Sequence, residues 1–188
     1  MARLPYLQQS DLAPEDRALL APRASDGSVP NLYRLLAHGP AAMRKLNALA
    51  MHIRHDSRLD PRLRELAILQ VGYSAKSPYE YSHHVKLGME FGVSEDDVRA
   101  IADETAGRPS TLEPVAKLVL RAAREMTNDL AMSDATFAAL RRDLDNDRII
   151  ELIIAIANYN AVVRILGTLK IDVEADYLPY LEKFPLPA

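Results

Sequence analysis

An all-α fold is what this sequence predicts, and three observations lead there. Apolar residues recur with a helical period from residue 31 onward, helix start and stop signals punctuate the chain, and no segment alternates as a strand should. At 188 residues, 48% of them apolar and 26% charged, the chain can bury one sizeable core as a single domain.

Residues 1–30 read as an extended arm. They carry prolines at 5, 14, 22 and 30 and a turn-like SDGS at 25–28, with room for one short helix at 14–20. Leucines and tyrosines in the arm imply packing on the body or on a neighbouring subunit. Residues 31–188 form the helical domain, with helices expected near 31–38, 41–55, 61–75, 79–91, 95–105, 112–128, 134–144, 147–169 and 174–182. Asp60-Pro61 is a cap followed by proline at the first helical position. Ser94 and Asp97 make a capping-box-like pair, and Ser133 with Asp134 opens another helix. Gly92 closes one helix and Gly107-Arg108-Pro109 the next.

An internal echo connects two of these helices. RLRELAILQVGYSA (62–75) aligns without gaps to RIIELIIAIANYNA (148–161), with identity at six of fourteen positions and an offset of 86. Shared apolar residues are the ordinary alphabet of buried helices, but Arg, Glu and Tyr are not, so a duplicated helical unit is the reading. Both segments are apolar around most of their circumference, which predicts central buried helices. Glu65 and Glu151 then sit at the mouth of the core, near helix N-termini that favour an anion.

Composition removes several function classes. The net charge of −3 and the lack of a Lys/Arg block give no footprint for nucleic acid. No uninterrupted apolar run approaches the ~18 residues a membrane span needs, and MARLPYLQQSD lacks a signal-peptide pattern, so a cytoplasmic protein is expected. With no cysteine there is no disulfide, thiolate catalysis or Cys-based zinc site.

SPYEYSHHV (77–85) concentrates the candidate chemistry. At about 100° per residue, Glu80 and His84 fall together in the middle of the apolar stripe, one turn apart, and His83 falls on its margin. A carboxylate buried without a partner is expensive, so the pair is expected to satisfy itself. Two uses fit: a core Glu–His contact holding helices together, or an acid–base pair lining a cavity. Glu80 and His83 also match Glu-x-x-His of di-iron bundles, but those sites need two such motifs and further glutamates. His52 and His55 are spaced to add ligands, yet Arg54 and Asp56 beside them suggest a solvated helix end; no metal is expected.

RLRELAIL followed by YEYSHHVKLGMEFGVSEDDV resembles the carboxymuconolactone decarboxylase family, within the alkylhydroperoxidase D-like superfamily. The likeness is close over 60–103 and looser through AAREMTNDL (122–130) and ELIIAIANYNAVVRILGTL (151–169). It implies an all-helical fold, a homo-oligomer (trimer or hexamer), and a site in a cleft near subunit contacts. The peroxidase branch of the superfamily carries Cys-x-x-Cys-x-x-x-His. Aligned on His84, its cysteine positions are Ser77 and Glu80 here, its relay glutamate falls on Glu65, and Tyr79 replaces its other histidine. Serine and carboxylate cannot run thiol–disulfide chemistry, so a peroxidase activity is disfavoured. The decarboxylase itself resembles only the middle of the chain, so its substrate does not transfer with the motif.

The expectation is a cofactor-free enzyme for decarboxylation or proton transfer on a small carboxylated lactone or similar ring acid. His84 is the proton donor or acceptor, Glu80 orients it and raises its pKa, and Glu65 is a second acid–base group. Substrate contacts are expected from Arg62, Arg64 or Arg164 to a carboxylate, from His83, and from Tyr159 and Asn160 on the far wall. A non-catalytic oligomeric small-molecule-binding protein is the alternative.

Overall fold

Eleven consecutive residues, Leu63 to Tyr73, are buried, because the helix that carries them is surrounded on all sides. That helix is α3 (Pro61–Ser74). The computed structural model describes residues 1–22 and 27–187, and around α3 it places α1 (Asn31–Leu36), α2 (Pro40–Met51), α4 (Pro78–Glu90), α5 (Glu95–Thr105), α6 (Pro114–Asn128), α7 (Asp134–Leu140), α8 (Asn146–Leu169) and α9 (Leu178–Lys183). α3 packs on α4, α5, α6 and α8. The protein is all-α, as its patterning predicts.

Local chemistry explains the helix starts. Asp60, Ser94, Ser133 and Asp145 each accept a hydrogen bond from a backbone N–H in the first turn, and the Ser94–Asp97 box is reciprocal. Proline stands at the entrance of α2, α3, α4 and α6, where its missing N–H costs nothing. Gly92 and Gly107 take φ of +93° and +70°, the left-handed helix ends their positions predict.

Several elements differ from the sequence expectation, and the helix expected over 134–144 stops at Leu140. The stretch 14–20 is a 3-10 helix, held between extended residues at Ala13 and Ala21. The helix expected over 41–55 ends its α-helical course at Met51 and continues as a π turn over His52–Asp56. The last helix begins with a 3-10 turn at Ala175–Tyr177 and becomes α9 only from Leu178. The arm lies on the body: the Arg3 N–H donates to the Leu169 carbonyl at 2.8 Å, the Tyr6 hydroxyl donates to Asp172 at 3.0 Å, and Leu12 and Leu20 join Ala37 and Met43 in a small second core. Of the SDGS turn, Ser25 and Asp26 lie outside the described residues.

The echoing segments meet at the centre, since α8 packs against α3. By length and composition α8 resembles a membrane span, with a mean hydropathy of 1.8, but 56% of that window is buried inside the protein. It is a core helix. Glu151, at Glu65's echoed position, meets His52 Nε2 at 3.1 Å, as Glu65 meets His84.

α3 and α4 approach unusually closely at Gly72. A Cβ there would stand 3.2 Å from the Tyr81 backbone nitrogen and 3.3 Å from its Cα. Backbone cannot yield as a flexible side chain can, so a methyl group must push α4 away from α3. Gly72→Ala is expected to cost about 1–3 kcal/mol in urea unfolding; unchanged stability would show that the crossing tolerates separation.

Candidate active site

The α3–α4 crossing brings three ionisable side chains together. α3 presents Glu65, and α4 presents Glu80 and His84 one turn apart, all three buried. His84 Nδ1 lies 2.7 Å from Glu65 Oε2, and Nε2 lies 3.0 Å from Glu80 Oε1. Behind them Arg64 Nε and Nη2 donate to Glu65 Oε1 at 3.1 and 3.0 Å, with the guanidinium 4.5 Å from the centre of the Phe91 ring. Tyr159 meets the His84 ring edge-on, their centroids 4.9 Å apart. Gly88 makes room for this cluster: a Cβ there would touch Val93 at 3.2 Å and the Cβ of Glu65 at 3.5 Å.

The electrostatics favour a charged imidazole. Burial alone would lower the His84 pKa, but Glu65 and Glu80 more than offset this and push it up to about 9. Burial likewise works to raise the Glu65 carboxyl, yet His84 first and Arg64 second hold it below the usual glutamate value. The imidazole is thereby favoured in its charged form, beside two glutamates of which one already has its own cation.

The two carboxylates are not equivalent. Glu80 and His84 line a cavity of about 590 Å³, whose wall does not include Glu65. Glu65 is held from both sides, by His84 and Arg64, whereas Glu80 Oε1 has ion-pair proximity without hydrogen-bond alignment and no hydrogen-bond partner among the described residues. Glu65 therefore stands behind the imidazole, where it fixes the ring, and Glu80 stands in front. The expectation gave the orienting contact to Glu80; the aligned hydrogen bond to the ring comes from Glu65 instead, while Glu80 helps to raise the His84 pKa as expected.

The remaining predicted site residues divide. Tyr159 and His83 line the cavity. His83 Nδ1 donates to the Tyr79 carbonyl at 2.8 Å, its ring is stacked between Tyr79 and Tyr177 at 4.0 and 3.6 Å, and Nε2 lies 3.2 Å from Glu174. The three predicted arginines face elsewhere. Arg62 is held by Asp97 and Glu113, each at 2.6 Å; Arg64 serves Glu65; Arg164 is exposed and donates to Asn160. Asn160 in turn donates to Thr127 and to the Ile156 carbonyl, away from the cavity. His52 engages Glu151, and His55 is exposed.

Among the cavity residues that the sequence did not point to are Arg54 and Asn158. The π turn that presents Arg54 has no sequence signature. Asn158 had a signal, because it stands one turn before Val162 and beside Tyr159, and helical phase groups these three and sets Asn160 apart.

Residues 40–125 match the model of the carboxymuconolactone decarboxylase family. Over that stretch, a little under half of the chain, the protein is similar to this family. No curated protein matches it significantly. Among solved structures, an uncharacterised peroxidase-related protein with an alkylhydroperoxidase AhpD core from Ralstonia eutropha JMP134 superposes with a TM-score of 0.80 at 18% identity, over 99% of this chain and 98% of that one. The debrominase Bmp8, solved in complex with 2,3,4-tribromopyrrole, superposes with a TM-score of 0.82 at 18% identity, over 98% and 100%. An Agrobacterium tumefaciens protein of unknown function, described as a putative antioxidant defence protein, gives 0.64 at 21% identity over 75% and 96%. At these identities the likeness is one of fold. In this cysteine-free chain, Ser77 and Glu80 occupy the start of α4, where the resemblance puts the redox cysteines of the peroxidase branch.

The raised His84 pKa links protonation to stability. Its folded value exceeds the ordinary one of 6.5, so the stabilisation is complete below pH 6.5 and is lost as pH rises through about 9. Glu65, held low, adds stability above its ordinary value of 4.5 that disappears as pH falls through its folded pKa. Urea unfolding is expected to lose about 2–3 kcal/mol between pH 6.5 and 9.5. Glu80→Gln, which removes one of the two carboxylates raising His84, should make that loss smaller; an identical slope would contradict the coupling.

Proposed function

We propose that this protein is a cofactor-free acid–base enzyme acting on a small carboxylated lactone or similar ring acid, with decarboxylation as its reaction class. The observation that carries this reading is the two-sided cluster: Glu65 and Arg64 hold His84 from behind while His84 and Glu80 border a cavity large enough for a ring-sized ligand. In the proposed step the ring-to-carboxylate C–C bond breaks, CO₂ leaves, and the electron pair stays on the ring, delocalised toward a carbonyl oxygen. The proton on His84 Nε2, facing Glu80, is then delivered to the ring carbon, and solvent restores it. Delocalisation lowers the barrier without an electron sink from outside, so the protein's part is to exclude water, place the ring and supply the proton.

A like-folded debrominase has been solved with 2,3,4-tribromopyrrole, which lends support to a small ring as ligand. Thiol-based peroxide reduction finds no support, because the chain has no cysteine to be oxidised. Assembly as a trimer or hexamer belongs to the same proposal: the outward side of α8 leaves Ile150 54% exposed, with Ala157 and Ala161 exposed further along the helix.

One observation favours the alternative of a non-catalytic binding protein: Arg64, Glu65 and His84 are buried deeply enough to serve only as a clamp between α3 and α4. Turnover of a γ-carboxylactone panel separates the two. Wild type is expected to release CO₂, and Glu80→Gln to lower kcat by about 10²–10⁴-fold with urea stability within about 1 kcal/mol of wild type. No turnover by wild type across the panel, or a Glu80→Gln variant that stays active, would rule against the enzyme.

A further inference from the structure

Among the polar side chains of the cavity wall outside the acid–base cluster, two stand apart. Arg54, on the π turn after α2, is half-buried and makes no hydrogen bond or ion pair among the described residues. The other half-buried arginines all have acceptors: Arg34 the Leu7 and Tyr6 carbonyls, Arg62 two carboxylates, Arg124 the Gln70 amide oxygen, and Arg148 the Arg58 carbonyl. Asn158, on α8, is only 6% exposed, and its Nδ2 has no hydrogen-bond partner among the described residues. A buried N–H donor without an acceptor is rare in a folded protein and calls for an occupant. A half-buried guanidinium without a counter-charge asks for the same kind of occupant, an oxyanion.

Both donors border the acid–base cluster. Tyr159, beside Asn158 in sequence, packs its ring on His84, and its hydroxyl feels the negative charges of Glu80 and Glu65 and the positive charge of Arg54. The other charged groups on the cavity wall do not neutralise Arg54: Glu80 faces His84, and Lys86 and Glu90 are exposed on α4. Between them the wall is apolar, with Leu36, Leu46, Met51, Leu87 and Val162.

We propose that Arg54 and Asn158 form an oxyanion-holding subsite, whose ligand is a small apolar ring bearing a planar oxyanion, a carboxylate or the enolate left when one departs. Its role in turnover rests on the acid–base reading above; its binding of anions does not. During decarboxylation the negative charge moves from the carboxylate to the carbonyl oxygen. Donors placed on the departing carboxylate would stabilise the starting state, whereas donors on the carbonyl oxygen stabilise the charge as it develops. The subsite is worth most to catalysis in the second role.

Binding of benzoate, 4-nitrophenolate and uncharged benzamide to the full chain, measured by calorimetry at pH 8, tests this. At least one anion is expected to bind about tenfold or more tightly than benzamide. Arg54→Gln and Asn158→Ala should each weaken it by about tenfold, leave benzamide unchanged and keep the melting temperature. Preference for 4-nitrophenolate assigns the enolate as occupant, and preference for benzoate assigns the carboxylate. Glu80→Gln should retain anion binding while losing turnover, so the subsite and the acid–base reading can fail separately. Benzamide binding as well as both anions, no anion binding at millimolar concentration, or anion affinity unmoved by both substitutions would overturn the subsite.

Discussion

The contact between Glu65 and His84, 2.7 Å across the α3–α4 crossing, is the constraint on which the rest of this structure depends. It joins a helix buried on every side to the helix that faces the cavity. A carboxylate and an imidazole so deeply buried are tolerated only because each has a partner. Arg64 completes the set, and the Phe91 ring takes the face of its guanidinium. The close approach at Gly72 and the bare position at Gly88 are what let the two helices come near enough for the contact to form.

From that anchor follows the division of labour between the carboxylates. Glu65 has spent its capacity on His84 and Arg64, so it holds the ring in place and keeps it protonated. Glu80, whose Oε1 lies against His84 Nε2 without an aligned donor among the described residues, is the carboxylate on the cavity wall. An ion pair used only for holding would gain from being fully satisfied; one that moves a proton needs a side left open. The C-terminal segment adds a wall to the same space: Tyr177 stacks on His83, while Glu174 accepts from the Tyr79 hydroxyl and the Asn31 N–H. This ties α1, α4 and the chain end together beside the acid–base cluster.

Much of this was legible in the sequence, and the failures have a common cause. Caps at Asp60, Ser94 and Ser133 are local chemistry, readable within four residues. The inward turn of Glu80 and His84 is helical phase, which a single helix reveals. Arg62 was misplaced because its partners, Asp97 and Glu113, lie 35 and 51 residues away, and nothing local announces them. Arg54 has no local signal, because α-helical phase over 41–55 does not foresee the π turn from which it lines the cavity. Asn160 flanks the same tyrosine, but helical phase carried on to Val162 groups Asn158, not Asn160, with the cavity wall. Helix existence and helix facing come from the sequence; which cation meets which anion comes from tertiary packing.

The cluster's chemistry depends on the charge of one ring, so the most direct measurement is the ¹⁵N NMR titration of the His84 imidazole, assigned with a His84→Gln variant. Both ring nitrogens should be protonated at pH 7 and titrate near pH 9, as an imidazolium between Glu65 and Glu80 requires. A neutral tautomer at pH 7, titrating at or below the ordinary histidine value, would contradict it.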